Sequence, residues 1–254
     1  MNDFTGKVAL VTGASRLIGS SLARTLGKRG ASVVVNYFSG KERAERVAEQ
    51  VEASGGRALI QGADIRDRGA VREMVDRAVE TFGGIDILIN NARHLHPKKP
   101  FLELDWKEDM CSQLDVHLGG AFNCCQEVIP HMKNRGGGAI VNLLSTAFRR
   151  ASPQFHAYGP AKAALRNFTM NLAAEFGPLG IRVNSVTPGT TGSQEYPSRN
   201  RTAEELEARR LQIPLRRIST PEDVAEAVVF LCSNAASHIT GADLPVNGGA
   251  AITL

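Results

Sequence analysis

The chain has 254 residues, 43% of them hydrophobic and 22% charged, the make-up of a globular protein with a substantial core. Its formal net charge is +4, and no run of five or more basic residues concentrates it, which argues against nucleic acid as a partner. No apolar run approaches the roughly 18 residues of a membrane span, the N-terminal residues lack a signal-peptide core, and Cys111, Cys124, Cys125 and Cys232 match no metal spacing. These features predict a cytoplasmic protein with reduced thiols, no bound metal, no membrane partner and, at this length, one domain over 1–254.

Lys7–Thr12 is a short apolar run with β-branched residues, ended by Gly13, and predicts a buried strand. Ile18, Leu22 and Leu26 then recur at helical spacing until Gly30. The alternation repeats along the chain. Strands are predicted at Ser32–Tyr37, Arg57–Ala63, Ile85–Asn90, Ala139–Leu144, Ile181–Val186 and Leu244–Val246. Helices are predicted at Lys41–Ala53, Arg68–Phe82, around Trp106–Lys133, at Ala161–Phe176 and at Pro221–Cys232, the last with Thr220 as N-cap. Strands alternating with helices imply parallel pairing through right-handed crossovers, hence an α/β, doubly wound, mostly parallel sheet of about seven strands covered on both faces. From Gly189 onward the chain is polar and aperiodic, so 189–212 is expected to be a mobile loop on the substrate side.

The first βα turn reads Thr12-Gly13-Ala14-Ser15-Arg16-Leu17-Ile18-Gly19. Placed between strand one and helix one, it is a candidate cradle for a pyrophosphate, because helix N-terminal N–H groups and the helix dipole attract anions. At the end of the second strand an acidic residue would bond a ribose 2′-hydroxyl and repel a 2′-phosphate. Here Asn36-Tyr37-Phe38-Ser39 carries no acid before Glu42, while Arg16 and Lys41 are cationic. That pattern favours NADP(H) over NAD(H).

Tyr158 and Lys162 stand four residues apart, one helical turn, and Ser145 lies thirteen residues before Tyr158 at the end of the fifth strand. A phenol with a pKa near 10 needs help to exchange a proton at neutral pH, and a nearby ammonium favours the phenolate. Ser145 would hold a substrate oxygen beside Tyr158. The set suits general acid–base catalysis coupled to hydride transfer at a carbonyl or alcohol carbon.

With TGASRLIG, Asp64, Asn90-Asn91-Ala92, Ser145, Tyr158/Lys162, Asn184-Ser185-Val186-Thr187-Pro188-Gly189 and Val246-Asn247-Gly248-Gly249, the chain resembles the short-chain dehydrogenase/reductase family over nearly its whole length. Within it, the 3-oxoacyl-(acyl-carrier-protein) reductase-like branch is the most similar. The resemblance implies a Rossmann-type fold and a homotetramer, or a dimer. It also implies that Gly13, Ser15, Arg16, Leu17, Ile18 and Gly19 cradle the cofactor, with Asn36 and Tyr37 beside them. Asp64 and Ile65 would meet the adenine, Asn90 and Ala92 would line the cofactor, and Lys162 would hold the nicotinamide ribose. Pro188, Gly189 and a hydroxyl of Thr191 or Ser193 would frame the nicotinamide amide.

Three positions depart from the pattern. Leu17 replaces the middle glycine of the turn, Arg93 follows Ala92 where glycine is expected, and His117 stands where the family has a relay asparagine. His117 either bonds the same water, titrating near neutral pH, or is an inert helix residue. His94, His96 and His156 read as loop or pocket-rim residues. Arg149 and Arg150 either pair an anionic substrate group or face water. Leu179 replaces the arginine common in carrier-protein reductases, against an acyl-carrier substrate, although Lys133 and Arg135 remain able to meet an acidic partner. The overall expectation is an oxidoreductase acting on a small-molecule ketone or secondary alcohol. The alternatives are a non-catalytic scaffold or an enoyl reductase.

Overall fold

The computed structural model describes residues 3–95, 99–150, 153, 155–192 and 202–251. Seven strands, β1 (Val8–Val11), β2 (Ser32–Tyr37), β3 (Arg57–Gly62), β4 (Ile87–Asn90), β5 (Gly138–Leu143), β6 (Ile181–Pro188) and β7 (Asp243–Val246), form one sheet ordered β3-β2-β1-β4-β5-β6-β7. All six neighbouring pairs are parallel, as the strand–helix alternation requires. Sequence order reverses between β1 and β4, and this switch point opens a crevice at the carboxyl ends of the strands.

Successive residues of a strand face opposite sides, and here both sides are covered. Ala9, Val11, Val33 and Val35 pack under α1 (Leu17–Lys28), α2 (Lys41–Ala53) and α8 (Pro221–Cys232). Leu10, Val34, Leu88 and Ile140 pack under α3 (Arg68–Phe82), α5 (Gly120–Asn134) and α6 (Tyr158–Phe176). Leu10, Leu22, Leu26, Leu88 and Ile140 are fully buried, each contributing about 2 kcal/mol of hydrophobic stabilisation. Caps set the helix starts: Asp67 accepts the Gly69 and Ala70 amides, and Thr220 accepts the Asp223 amide as expected.

Three local expectations change. The stretch around Trp106–Lys133 is not one regular helix: α4 (Ser112–Leu114) lies between the π-helical turns Trp106–Cys111 and Asp115–Gly119, and α5 follows. α6 opens at Tyr158, three residues before Ala161, because Pro160 falls in the first turn, where its missing N–H costs nothing. Part of the expected 189–212 loop is helical: α7 (Ala203–Leu211) starts from a capping box in which Thr202 and Glu205 satisfy each other's backbone amides. Residues 193–201 of that segment lie outside the described residues, as do His96 and Ser193. No described helix is long and apolar enough to cross a membrane.

Candidate active site

The turn after β1 is braced from three sides. The Asn36 side chain accepts the Gly13 amide at 3.1 Å and donates to the carbonyls of Gln61 and Ala63. Asn91 donates to the carbonyls of Thr12 and Gly13, at 2.9 and 3.1 Å, and the Thr12 hydroxyl accepts the amides of Asn91 and Ala92 at 3.0 Å each. Gly13 has φ +61°, and a Cβ there would meet the Ala92 backbone at 2.9 Å. A Cβ on Gly19 would lie 2.3 Å from the Gly13 carbonyl oxygen, so only glycine lets α1 pack this closely on its own turn. Leu17 has φ +50°, the left-handed conformation that glycine adopts freely, so the turn keeps its shape at the cost of backbone strain. Ser15 is buried, and Arg16 and Ile18 are half-buried at the start of α1.

Along the second strand's exit, Tyr37 packs over Gly62, and Arg66 lies over the exposed ring of Phe38, 5.7 Å from its centroid. Arg66 also pairs with both oxygens of Asp64 and, through that hydrogen bond first of all, holds the carboxyl below the usual carboxylate range. Ile65 is buried against Gly120. Arg43, a cation passed over in reading the sequence, donates to the Ser39 carbonyl at 3.4 Å, and Lys41 pairs with Glu45 at 3.6 Å.

On the other side of the switch point β5 ends and Ser145 caps a single 3₁₀ turn, Thr146–Phe148, accepting the Ala147 amide at 3.3 Å. The Ser145 side chain is hydrogen-bonded to Tyr158. Burial holds the Tyr158 phenol above its ordinary pKa; the Ser145 bond and the charge of Arg93 oppose that rise. Lys162, one turn further along α6, is buried, and its ammonium donates to the Leu143 carbonyl at 2.7 Å. Its Nζ lies 5.8 Å from the centre of the Tyr158 ring. Burial first, and Arg93 second, push the Lys162 pKa from 10.5 to about 7. His117 sits on the second π-helical turn, is 2% exposed, and meets Tyr158 edge-on with ring centres 5.2 Å apart. Asn90, Ala92, His117 and Lys162, from three segments of the chain, line one small shared space.

A family model described as enoyl-(acyl carrier protein) reductase matches residues 13–251. A 3-oxoacyl-(acyl-carrier-protein) reductase from Staphylococcus epidermidis is 38% identical over 96% of this chain and 98% of its own length. An L-rhamnose 1-dehydrogenase (NAD(P)(+)) from Azotobacter vinelandii is 37% identical over 98% of each. The structure of a doubly substituted short-chain dehydrogenase/reductase from Serratia marcescens superposes with a TM-score of 0.90 at 33% identity, covering 98% of this chain and 99% of that one. The chain belongs to the short-chain dehydrogenase/reductase family.

Members of this family are oxidoreductases that use nicotinamide cofactors. The crevice fits such a group: α1 has no side-chain cap and no acid in its first turn, which leaves its N-terminal amides to an anion, and the glycine cradle keeps the backbone open to one. Of the remaining predicted positions, Pro188 ends β6 and Gly189 follows it, with the Gly189 amide on the Val246 carbonyl at 3.0 Å and the Thr191 hydroxyl on the Gly189 carbonyl at 3.3 Å. Asn90 donates to Asn142 at 2.8 Å, and Asn142 donates to Thr169 at 2.9 Å. This buried polar chain links β4 to α6; Asn142, the one polar side chain in an otherwise apolar β5, was its trace in the sequence.

Arg149 is not left to substrate or water: it pairs with Asp243 at 2.5 Å, whereas Arg150 is exposed. Arg93 and His94 are exposed on the loop after β4, and His156 stacks edge-on against Phe101. The four cysteines are free thiols; burial raises Cys125 and Cys232 to about 12 and Cys124 still further, so these three are poor nucleophiles. No His, Cys, Asp and Glu cluster among the described residues could hold a metal.

Proposed function

We propose that this short-chain dehydrogenase/reductase is an NADP(H)-dependent enzyme that reduces a small-molecule ketone, or oxidises the matching secondary alcohol. The observation that carries the reading is the Ser145–Tyr158 hydrogen bond, with Lys162 one turn away, beside the glycine cradle at the same carboxyl edge of the sheet. When bound, the nicotinamide ring supplies or accepts the hydride. Ser145 donates to the substrate oxygen and fixes it next to Tyr158. Tyr158 gives that oxygen a proton in reduction and removes one in oxidation. Lys162 stabilises the phenolate and bonds the ribose hydroxyls, while His117, packed against the Tyr158 ring, joins the proton relay.

The turn from Gly13 to Gly19 holds the diphosphate, Asp64 and Ile65 bound the adenine, Asn90 and Ala92 line the crevice, and Pro188, Gly189 and Thr191 frame the carboxamide. NADP(H) preference is supported by Arg16, Lys41 and Arg43 around a β2 exit that has no acid before Glu42. Asn36 supports it indirectly, since its amide is spent bracing the turn. The chain 1–254 acts as one domain, with 189–212 on the substrate side, in a cytoplasmic homotetramer or dimer that has neither nucleic-acid nor membrane partners.

Fluorescence titration with NADPH and NADH, followed by a 340 nm assay with ketones such as ethyl acetoacetate, tests the reading. NADPH should bind at least tenfold more tightly than NADH. Tyr158→Phe should lose at least about a thousandfold in turnover, within the range that positioned acid–base groups supply, while its NADPH affinity stays within twofold. Unchanged turnover in that variant sinks the mechanism. A second reading, reduction of a carbon–carbon double bond, rests on the family model's description alone. Turnover of a 2-enoyl thioester with no turnover of any ketone would establish it instead.

A further inference from the structure

Two buried hydroxyls and a buried carboxylate meet outside the set assigned above. Ser185 and Thr187 are alternate residues of β6, so their side chains share one face of the sheet. Both are fully buried, and both donate to Asp243, the first residue of β7: Ser185 at 2.9 Å and Thr187 at 2.8 Å. The Asp243 side chain is 2% exposed. A carboxylate so enclosed is costly unless donors or a cation meet it. Among the described residues that cation is Arg149, whose Nη2 lies 2.5 Å from Oδ2.

The two ends of this network lead to the two walls of the active site. Arg149 closes the 3₁₀ turn that Ser145 opens; its amide donates to the Thr146 carbonyl, and its guanidinium lies 5.3 Å from the centre of the Phe148 ring. Thr187 is followed directly by Pro188 and Gly189, the predicted frame of the nicotinamide. The hydrogen bonds of the Phe148 and Arg149 amides stay within the turn, so the Arg149 side chain ties the turn to β7.

We infer that Asp243 and Arg149 are positioning residues that fix the Ser145 turn relative to the Pro188-Gly189 exit of β6, and so set where the substrate oxygen lies with respect to the hydride-bearing ring. The inference rests on the catalytic reading of Ser145 and Tyr158. Hydride transfer needs reacting atoms at close approach, and a misplacement of about 1 Å can cost on the order of a hundredfold. Neither residue touches the reacting atoms; their effect passes through Ser145.

The test compares Asp243→Asn, Arg149→Met, their double variant and Arg149→Lys, each shown to be folded by circular dichroism, in NADPH-dependent reduction of ethyl acetoacetate. Each of the first two should lower kcat by about ten- to a hundredfold with NADPH affinity within twofold. The double variant should be no worse than the poorer single one, because the pair acts as a unit. Arg149→Lys, which keeps the cation, should recover most of the loss. Singles within twofold of the parent, or losses that multiply in the double variant, overturn the inference. The crystal structure of Asp243→Asn provides a readout independent of turnover: a Ser145 turn moved by about 1 Å against Pro188 supports the role, and an unmoved turn refutes it. If Tyr158→Phe is inactive while Asp243→Asn is fully active, only this inference fails. If Tyr158→Phe is active, the catalytic reading fails first.

Discussion

Replacing Lys162 by methionine should stabilise the protein at neutral pH while ending turnover. The ammonium is buried, and burial, helped by Arg93, pushes its pKa from 10.5 to about 7. At about 1.4 kcal/mol per pH unit, holding that group protonated costs the folded state nearly 5 kcal/mol as an order of magnitude. Methionine has nearly the same length and no charge. Its insertion forfeits the 2.7 Å bond to the Leu143 carbonyl, and an acceptor left unpaired costs about 1–3 kcal/mol. The net expectation is a variant about 2–4 kcal/mol more stable at pH 7.

The pH dependence is the sharper signature. Between pH 7 and 10.5 the unfolded lysine holds its proton while the folded one has lost it, so the native enzyme gains stability as pH rises. Tyr158, held above its ordinary value of 10.0, stays neutral up to pH 9 and does not interfere. The advantage of Lys162→Met should therefore shrink by about 2 kcal/mol from pH 7 to pH 9. Urea unfolding of both proteins without nucleotide, at equal protein concentration, measures it. An advantage that stays constant or grows over that interval would refute the burial argument.

Leu17→Gly should relieve a left-handed leucine worth about 1–2 kcal/mol, offset by about 0.5–1 kcal/mol of glycine entropy, and a lower urea midpoint would contradict that balance. Gly19→Ala forces a methyl to within 2.3 Å of the Gly13 carbonyl oxygen and 2.7 Å of Asn91 Nδ2; it should cost about 1–3 kcal/mol and weaken NADPH binding at least tenfold by titration. Arg93→Gly removes a cation that lowers both Tyr158 and Lys162, so both should titrate at higher pH. The basic limb of kcat/KM for ketone reduction, which requires protonated Tyr158, should then move upward, and a downward move would exclude Arg93 from the site's electrostatics.

Much of the architecture is local in origin and was legible as such. Buried strands of apolar, β-branched residues, Gly13 and Gly30 as punctuation, and Thr220-Pro221 at a helix start act over a few residues each. The capping box of Thr202 and Glu205 was equally local and announced α7, yet it lay inside a stretch read as a loop from its polarity. The π-helical turns around α4 left no such mark, because a five-residue hydrogen-bond step barely alters a 3.6-residue apolar spacing. The segment's exposed residues, Trp106 among them, do not reveal it either.

By itself, the sequence determined the order of strands and helices, the glycine turn, and the spacing that puts Tyr158 and Lys162 on one face of α6, since each depends on neighbours within a turn or two. Only the tertiary structure decided that Asn36 braces Gly13 across 23 positions, that His117 abuts Tyr158, and that Arg149 belongs to Asp243, 94 residues away. Those pairings are chosen by burial: a polar group cut off from water must find a partner, and which one it finds is set by the strands that the fold lays side by side.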